Sequence, residues 1–237
     1  MSLMALFDKL ALLLFVAMFV AWEAGRPARA PRRSPIPFDA VAVLNVALFS
    51  VACKWLLTPA EPVDSAPFAG WPLAARYAAA LVAIDFTLYW VHRALHSRIF
   101  WNTHRFHHSV RELNWLSGIY TSGTHIVFYI VPQVLIASYL FGFSAVEMVL
   151  VVVIGYFVQL WQHANVRIGI GRLRYLFVTP QSHRRHHARG GAARNVNFGA
   201  ILSLWDVLFG TWAEPADETY ELGVDEDVPV VRGLIGF

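Results

Sequence analysis

Five stretches of this chain are apolar for about the 20 residues that a helix needs to cross a bilayer. They are Leu3–Trp22, Phe38–Leu57, Leu73–Val91, Ile119–Phe143 and Val146–Val166. No strand-like alternation of polar and apolar positions competes with them, so the pattern predicts an all-α, multispanning membrane helix bundle of about five spans. Only Gly142 to Ala145 separates the last two stretches, which makes them an antiparallel helical hairpin. Lys54 interrupts the second stretch and can snorkel to the surface, whereas Asp85 lies inside the third. The first stretch lacks a basic start, and Asp8 sits where a signal peptide carries positive charge. It is therefore expected to stay as a membrane helix.

Charge between the stretches sets an orientation. Arg26, Arg29, Arg32 and Arg33 follow the first, and Arg93, Arg98, Arg105 and Arg111 follow the third. A further group runs from Arg167 to Arg194 after the fifth. The loop Thr58 to Pro72 and the hairpin turn carry no Lys or Arg. This alternation predicts a C-terminus on the cytoplasmic side of an inner or plasma membrane. Composition agrees: 57% of residues are hydrophobic and 15% charged, against about 45–50% and 25% in soluble domains. A disordered chain is excluded, and an ordinary water-soluble enzyme does not fit. The isoelectric point near 9.2 follows from the membrane bias, and no nucleic-acid module is visible. The chain divides into N-terminal membrane helices with a basic linker (1–72), a catalytic domain (73–212) and an acidic tail (213–237). Seven carboxylates and no Lys or Arg lie between Glu214 and Asp227, which reads as a solvated cap.

The chemistry lies in the histidines. Eight of ten fall in three runs: His92 and His96; His104, His107 and His108; His183, His186 and His187. Residues three and four apart share one helix face, so each run is an imidazole face. By topology all three runs lie on the cytoplasmic side, and His163 ends the fifth stretch at the same level. So many neutral rings without a metal would leave buried nitrogens unsatisfied. Neutral imidazole suits iron, zinc, copper and nickel. Eight or nine ligands are too many for one ion, and the single Cys53 excludes thiolate clusters. The zinc-protease pattern His-Glu-x-x-His is absent. A nitrogen-rich dinuclear iron centre fits the count best, held in a cytoplasmic histidine-rich helical cap.

The order HxxxH, HxxHH, HxxHH resembles that of the fatty acid hydroxylase / sterol desaturase superfamily. Gln162-His163-Ala164-Asn165, Asn197-Phe198-Gly199 and the run Leu204-Trp205-Asp206-Val207-Leu208-Phe209-Gly210-Thr211 match further elements of that family. The resemblance covers about Asp85 to Trp212. It implies a membrane-bound, dioxygen-dependent lipid oxidase with two iron ions, hydroxylating or desaturating a C–H bond of a fatty-acyl, sterol-like or other lipid. It also implies metal ligation by His92, His96, His104, His107, His108, His183, His186 and His187, and by His163. His125 stands near a further family histidine, as a ligand, a supporting group or a core residue. Gln159, one turn before His163, stands where some relatives have histidine, which implies a water-bound position at the metal.

Asp85 lies seven residues before His92 on the same helix face and is read as a hydrogen-bond partner of a ligating histidine, with a structural hydrogen-bond acceptor as the alternative. Asp206 is a weaker candidate for that role, and Asn165 and Asn197 are candidates for orienting histidines. Tyr89, Trp90, Phe157 and Trp161 would wall an apolar slot to the metals if they do more than pack in the membrane. No complete Gly-x-Gly-x-x-Gly element is present, since Gly169-Ile-Gly171 lacks the third glycine, so a separate electron-donor protein is implied. Two other readings stay open: a zinc-dependent membrane hydrolase and a non-enzymatic metal carrier. Zinc is also a possible occupant of purified material.

Overall fold

The computed structural model describes residues 14, 17–25, 27–29, 43–45, 47–48, 51, 55–190, 194–215 and 219–236. Most of the first two apolar stretches, with Asp8, Cys53 and Lys54, lies outside the described residues. Residues 17–25 are helical. The helices that follow are α1 (Leu73–Leu95), α2 (Trp101–His108), α3 (Gly123–Val134), α4 (Met148–His163), α5 (Pro180–His186), α6 (Leu204–Leu208) and α7 (Val230–Ile235). Among the described residues the architecture is all-helical, with isolated bridges in place of strands.

Among the described residues, two segments are long and apolar enough to cross a membrane: α1, and α3 together with the π-helical turn Leu135–Leu140 that prolongs it. The π turn follows Pro132, which has no N–H to give to the helix ladder. Below it the register has shifted, and Phe141 N–H reaches Ile136 O at 3.1 Å. The fourth and fifth stretches are shorter as helices than their hydropathy suggests. The region before α3 is a 3-10 turn, Trp115–Ile119, and the Ser122 side chain then caps α3 by accepting from His125 N–H. At the other end α4 stops at His163, and its C-terminal carbonyl groups find a buried cation. Arg184 donates to Ala164 O at 3.1 Å and to Val166 O at 3.0 Å.

Apolar side chains of α1, α3, the π turn and α4 form the main core, with Ile84, Leu88, Ile126, Ile130, Val134, Met148 and Val151 buried in it. At the end of α1 away from the histidines, Arg76 clasps the turn before α4. Its guanidinium donates to Glu147 Oε1 at 2.6 Å and to Phe141 O at 3.0 Å. Each partner spares the other an unpaired charge at a partly buried site.

The described carboxylates of the acidic tail are solvent-exposed, as a solvated cap requires, but the tail is also anchored to the body. Arg189 holds Glu221 and Asp225 at 2.9 and 2.6 Å, and Arg174 holds Glu214 at 3.0 Å. Leu222 and Val224 are buried, Gly223 N–H donates to His187 O, and α7 packs so closely that a Cβ on Gly233 would strike the Phe106 ring. Two features of the tail's sequence foretell this: isolated apolar residues among the acids, and a strongly basic segment elsewhere to face them.

The four aromatic residues considered as slot walls pack against other side chains, the alternative that membrane packing offered. Tyr89 is buried with its hydroxyl 2.9 Å from Thr211 Oγ1, and Trp90 packs at a tilt on Phe209 with ring centroids 4.9 Å apart. Phe157 and Trp161 pack on Phe19 and Trp22 of the N-terminal helical stretch.

Candidate metal centre

Helices α1, α2, α4 and α5 bring nine histidines together in two groups. The first holds His92, His96, His104, His108 and His186, and the second His107, His163, His183 and His187. Within each group the candidate ligand nitrogens all lie within 4.8 Å of one another. The HxxHH boxes do not act as single faces, which corrects the expectation from helical spacing. In α2, His104 and His108 serve the first group, and His107 serves the second. In the α5 box the roles reverse: His183 and His187 serve the second, and His186 the first. The box pairs four apart have Nε2 separations of 3.1 and 3.2 Å. His108 and His187 stack across the divide with ring centroids 4.2 Å apart.

The outer ring nitrogens fix which way each lone pair points. His107 Nδ1–H donates to Tyr120 O at 3.1 Å, and His163 Nδ1–H donates to Gln159 O at 2.8 Å. His92 and His186 donate in the same way to Phe198 O at 2.8 Å and Val196 O at 2.7 Å. A carbonyl only accepts, so the proton of each neutral ring is on Nδ1 and Nε2 carries the lone pair. Yet His107 Nε2 and His163 Nε2 stand 3.0 Å apart. Two neutral rings cannot share a hydrogen bond there. Burial, reinforced by neighbouring imidazoles, holds His104, His107, His108, His183, His186 and His187 well below the usual imidazole range, so protonation does not resolve the contact. A shared cation would, because both Nε2 lone pairs could point at one ion. His96 Nε2 and His186 Nε2 are buried without a hydrogen-bond partner among the described residues. The donor set therefore fits metal ions in both groups.

His125 belongs to neither group. Its Nδ1 lies 2.9 Å from His104 Nδ1, and its ring stacks on Tyr129 at 4.5 Å. It supports His104 from behind. Gln159 contributes its backbone carbonyl to His163, and its side-chain oxygen accepts from Gln162 Nε2 at 3.2 Å. Gly118 lets the 3-10 turn approach here, since a Cβ at that position would collide with the Gln159 carbonyl and crowd the His163 ring.

Asp85 is not a partner of a histidine, contrary to its sequence reading. Its carboxylate accepts from Ile201 N–H at 2.7 Å, Leu202 N–H at 3.1 Å and Trp205 Nε1–H at 2.8 Å. It ties α1 to the segment after the third box. Asp206 acts one step behind a histidine. It accepts from Phe198 N–H at 2.7 Å, Gly199 N–H at 2.8 Å and the Thr211 hydroxyl at 2.7 Å. The turn it holds presents the Phe198 carbonyl to His92. Gly199 has no room for a side chain, because a Cβ would meet Leu202 O and the Asp206 carboxylate. Asn197, at φ 55°, links Ser182 O of α5 to the backbone of Ala213. Asn165 pairs with the backbone of Arg29 and touches no histidine. The Asn-Phe-Gly and Leu-Trp-Asp elements are thus the frame that aims the first box.

Sequence reasoning missed the carbonyls of Tyr120, Val196 and Phe198, because any residue type can supply a carbonyl. A profile of the family described as fatty acid hydroxylase matches residues 77–211, from early α1 through the Asp206 turn. The chain belongs to the fatty acid hydroxylase family. Its similarity to an ornithine lipid hydroxylase of Rhizobium tropici is 35% identity over 148 residues, 61% of this chain and 44% of that protein. An alkylglycerol monooxygenase of Danio rerio is 29% identical over 62% of this chain and 33% of its own length. A very-long-chain aldehyde decarbonylase of Oryza sativa is 27% identical over 58% and 23%. The match thus spans less than half the length of these relatives. No solved structure matches the chain. These relatives are lipid hydroxylases and monooxygenases by name, with one aldehyde decarbonylase, and the histidine groups of this chain could hold metal ions.

Proposed function

We propose that the chain is a membrane-bound, dioxygen-dependent lipid oxygenase using a dinuclear iron centre held by the nine grouped histidines. The observation that carries this reading is the pair of opposed lone pairs on His107 and His163, beside a second imidazole group in which His92 and His186 hold their protons on Nδ1 and leave Nε2 a lone pair. Iron in both positions would supply what imidazole and zinc lack, a change of oxidation state to activate dioxygen. For hydroxylation the balance is one C–H bond, dioxygen, two electrons and two protons giving an alcohol and water. A separate electron-donor protein supplies the electrons. The residues of the chain do the rest. Carbonyls of Tyr120, Gln159, Val196 and Phe198 fix the ligand tautomers. Apolar walls of α1, α3 and α4 bury the reacting chain and exclude water.

The substrate is a lipid with a long alkyl part, consistent with the lipid-modifying relatives. We place the protein in the inner or plasma membrane with five spans and its histidines and C-terminus in the cytoplasm. Reporter fusions after Leu73 and after Trp212 should report opposite sides of the membrane; the same side for both would overturn the topology. The reaction is tested by purifying the protein, measuring metal per chain and incubating it with lipid extracts and a chemical reductant. About two irons per chain and a mass gain of one oxygen that requires dioxygen are expected. Zinc with dioxygen-independent cleavage would identify a hydrolase, and metal without turnover a carrier.

A further inference from the structure

Among the described residues, the nine grouped histidines meet the exterior at one corner. Eight are buried, and His96 of the first group is half-buried. Trp101, the first residue of α2, stands beside it. Its ring centroid lies 5.3 Å from that of His96, 5.4 Å from His108 and 6.2 Å from His104, all aromatic contact distances. Trp101 is itself only half-buried, so one ring reaches from the surface to three imidazoles of the first group. The guanidinium carbon of Arg194 sits 4.0 Å from the centre of that ring, and the exposed Asn195 places its Oδ1 3.3 Å from His96 Nδ1. The neighbouring Phe100 packs instead on Phe128 of the α3 span. Positive charge at this corner is not neutralised. The acidic tail occupies other arginines: Arg189 holds Glu221 and Asp225, Arg174 holds Glu214, and Arg105 and Arg111 lie 3.7 and 4.0 Å from Glu226 and Asp227. Arg194, and the exposed Arg98 three residues before Trp101, have no carboxylate partner among the described residues.

We propose that this corner is where the electron donor docks, and that the donor is a small redox protein with a carboxylate-rich face. The inference rests on the oxygenase reading for its purpose. Buried ligands need a contact route to the surface, and the Trp101 ring supplies one. Unpaired guanidinium groups attract an acidic partner and orient it before contact. Trp and Arg are also the residues that carry most binding energy where proteins meet. Transient redox encounters bury less than about 1,200 Å², so a few residues around Arg98, Trp101 and Arg194 are enough to define one. A one-electron donor docks twice per turnover. Each time the donor is oxidised and the histidine-held centre takes up the electron, which supplies the two that hydroxylation consumes.

The test uses the full iron-loaded chain in lipid nanodiscs, with a reduced acidic [2Fe–2S] ferredoxin as probe and a basic cytochrome c as control. The wild type should bind the ferredoxin, about tenfold more weakly at high salt than at low, and should not bind the cytochrome. Arg194→Glu and Arg98→Glu should each weaken ferredoxin binding about tenfold and slow its oxidation by a similar factor. Arg172→Glu, an equal charge change at another exposed arginine, should alter either by less than about twofold. Metal per chain, measured in every variant, shows that the centre is intact; if Arg194→Glu costs metal, the exposed Arg98 carries the test. No salt-sensitive ferredoxin binding by the wild type, unchanged binding in both corner variants, or an equal loss in Arg172→Glu overturns the proposal. So does a ferredoxin that binds but stays reduced. If the corner variants change only the affinity for anionic lipid, the corner belongs to the membrane surface and the proposal fails. Electrons delivered as expected, with no oxygen incorporated into any lipid, leave the docking site standing and remove the oxygenase reading instead.

Discussion

The two histidine groups differ in number, exposure and support. The first has five imidazoles and is exposed at one corner, where His96 is partly accessible and reaches Asn195 at 3.3 Å. The second has four, all buried. In the first, His92, His96, His104 and His186 each have an outer nitrogen matched to a partner. In the second, His183 Nδ1 and His187 Nδ1 have none among the described residues. The first group is thus richer in nitrogen and more firmly oriented, and the second has fewer ligands to lose. Nitrogen count and outer hydrogen bonding are separate levers on a metal site: one sets affinity, the other sets how well the geometry survives substitution.

The largest effect should come from the poorer group. His163→Ala leaves it three imidazoles, so metal per chain should fall to about half and turnover by about 100-fold or more. His163→Lys should fail equally, because an ammonium offers no lone pair. Metal analysis beside product formation checks both, and normal values in His163→Lys would remove His163 from the ligand set.

Next comes the frame behind the richer group. Asp206→Asn turns an amide toward donors that need an acceptor, and should destabilise the fold by about 2–3 kcal/mol. Chemical denaturation in detergent measures this. If stability holds but the first group loses metal, the turn matters for aiming His92 and not for folding.

The smallest of the three effects is expected at His125. His125→Phe keeps the stack on Tyr129 but removes the nitrogen beside His104. The first group should lose about tenfold in metal affinity, while the second is unchanged. Loss from both groups in a metal titration would show that the two are coupled through α2.

Much of this protein was legible along the chain. Hydropathy located α1, and the combined segment of α3 and its π turn, because apolar length is a one-dimensional property. The three histidine runs announced a histidine cluster that could hold metal for the same reason: spacings of three and four are local. The limits are equally physical. Helical spacing places His104, His107 and His108 on one side of α2, but the face is broad enough for its rings to diverge toward two centres. Asp85 shares a helix face with His92, yet a face is wide and the 201–205 segment lies closer. The tail's carboxylates are exposed as they read, but the arginines that pair with them lie far away in sequence and were not legible.

What the sequence alone determined was therefore the inventory: an all-helical chain, nine imidazoles on three local motifs and one further helix end, and the family that they mark. Tertiary structure decided the assignment. It split each HxxHH box between two groups, put His125 behind His104, and turned Asp206 into a support for His92. Local spacing fixes which side chains leave the same side of a helix, because backbone geometry repeats. Which nitrogen meets which depends on how α1, α2, α4 and α5 pack, and on carbonyls that carry no signature in the sequence.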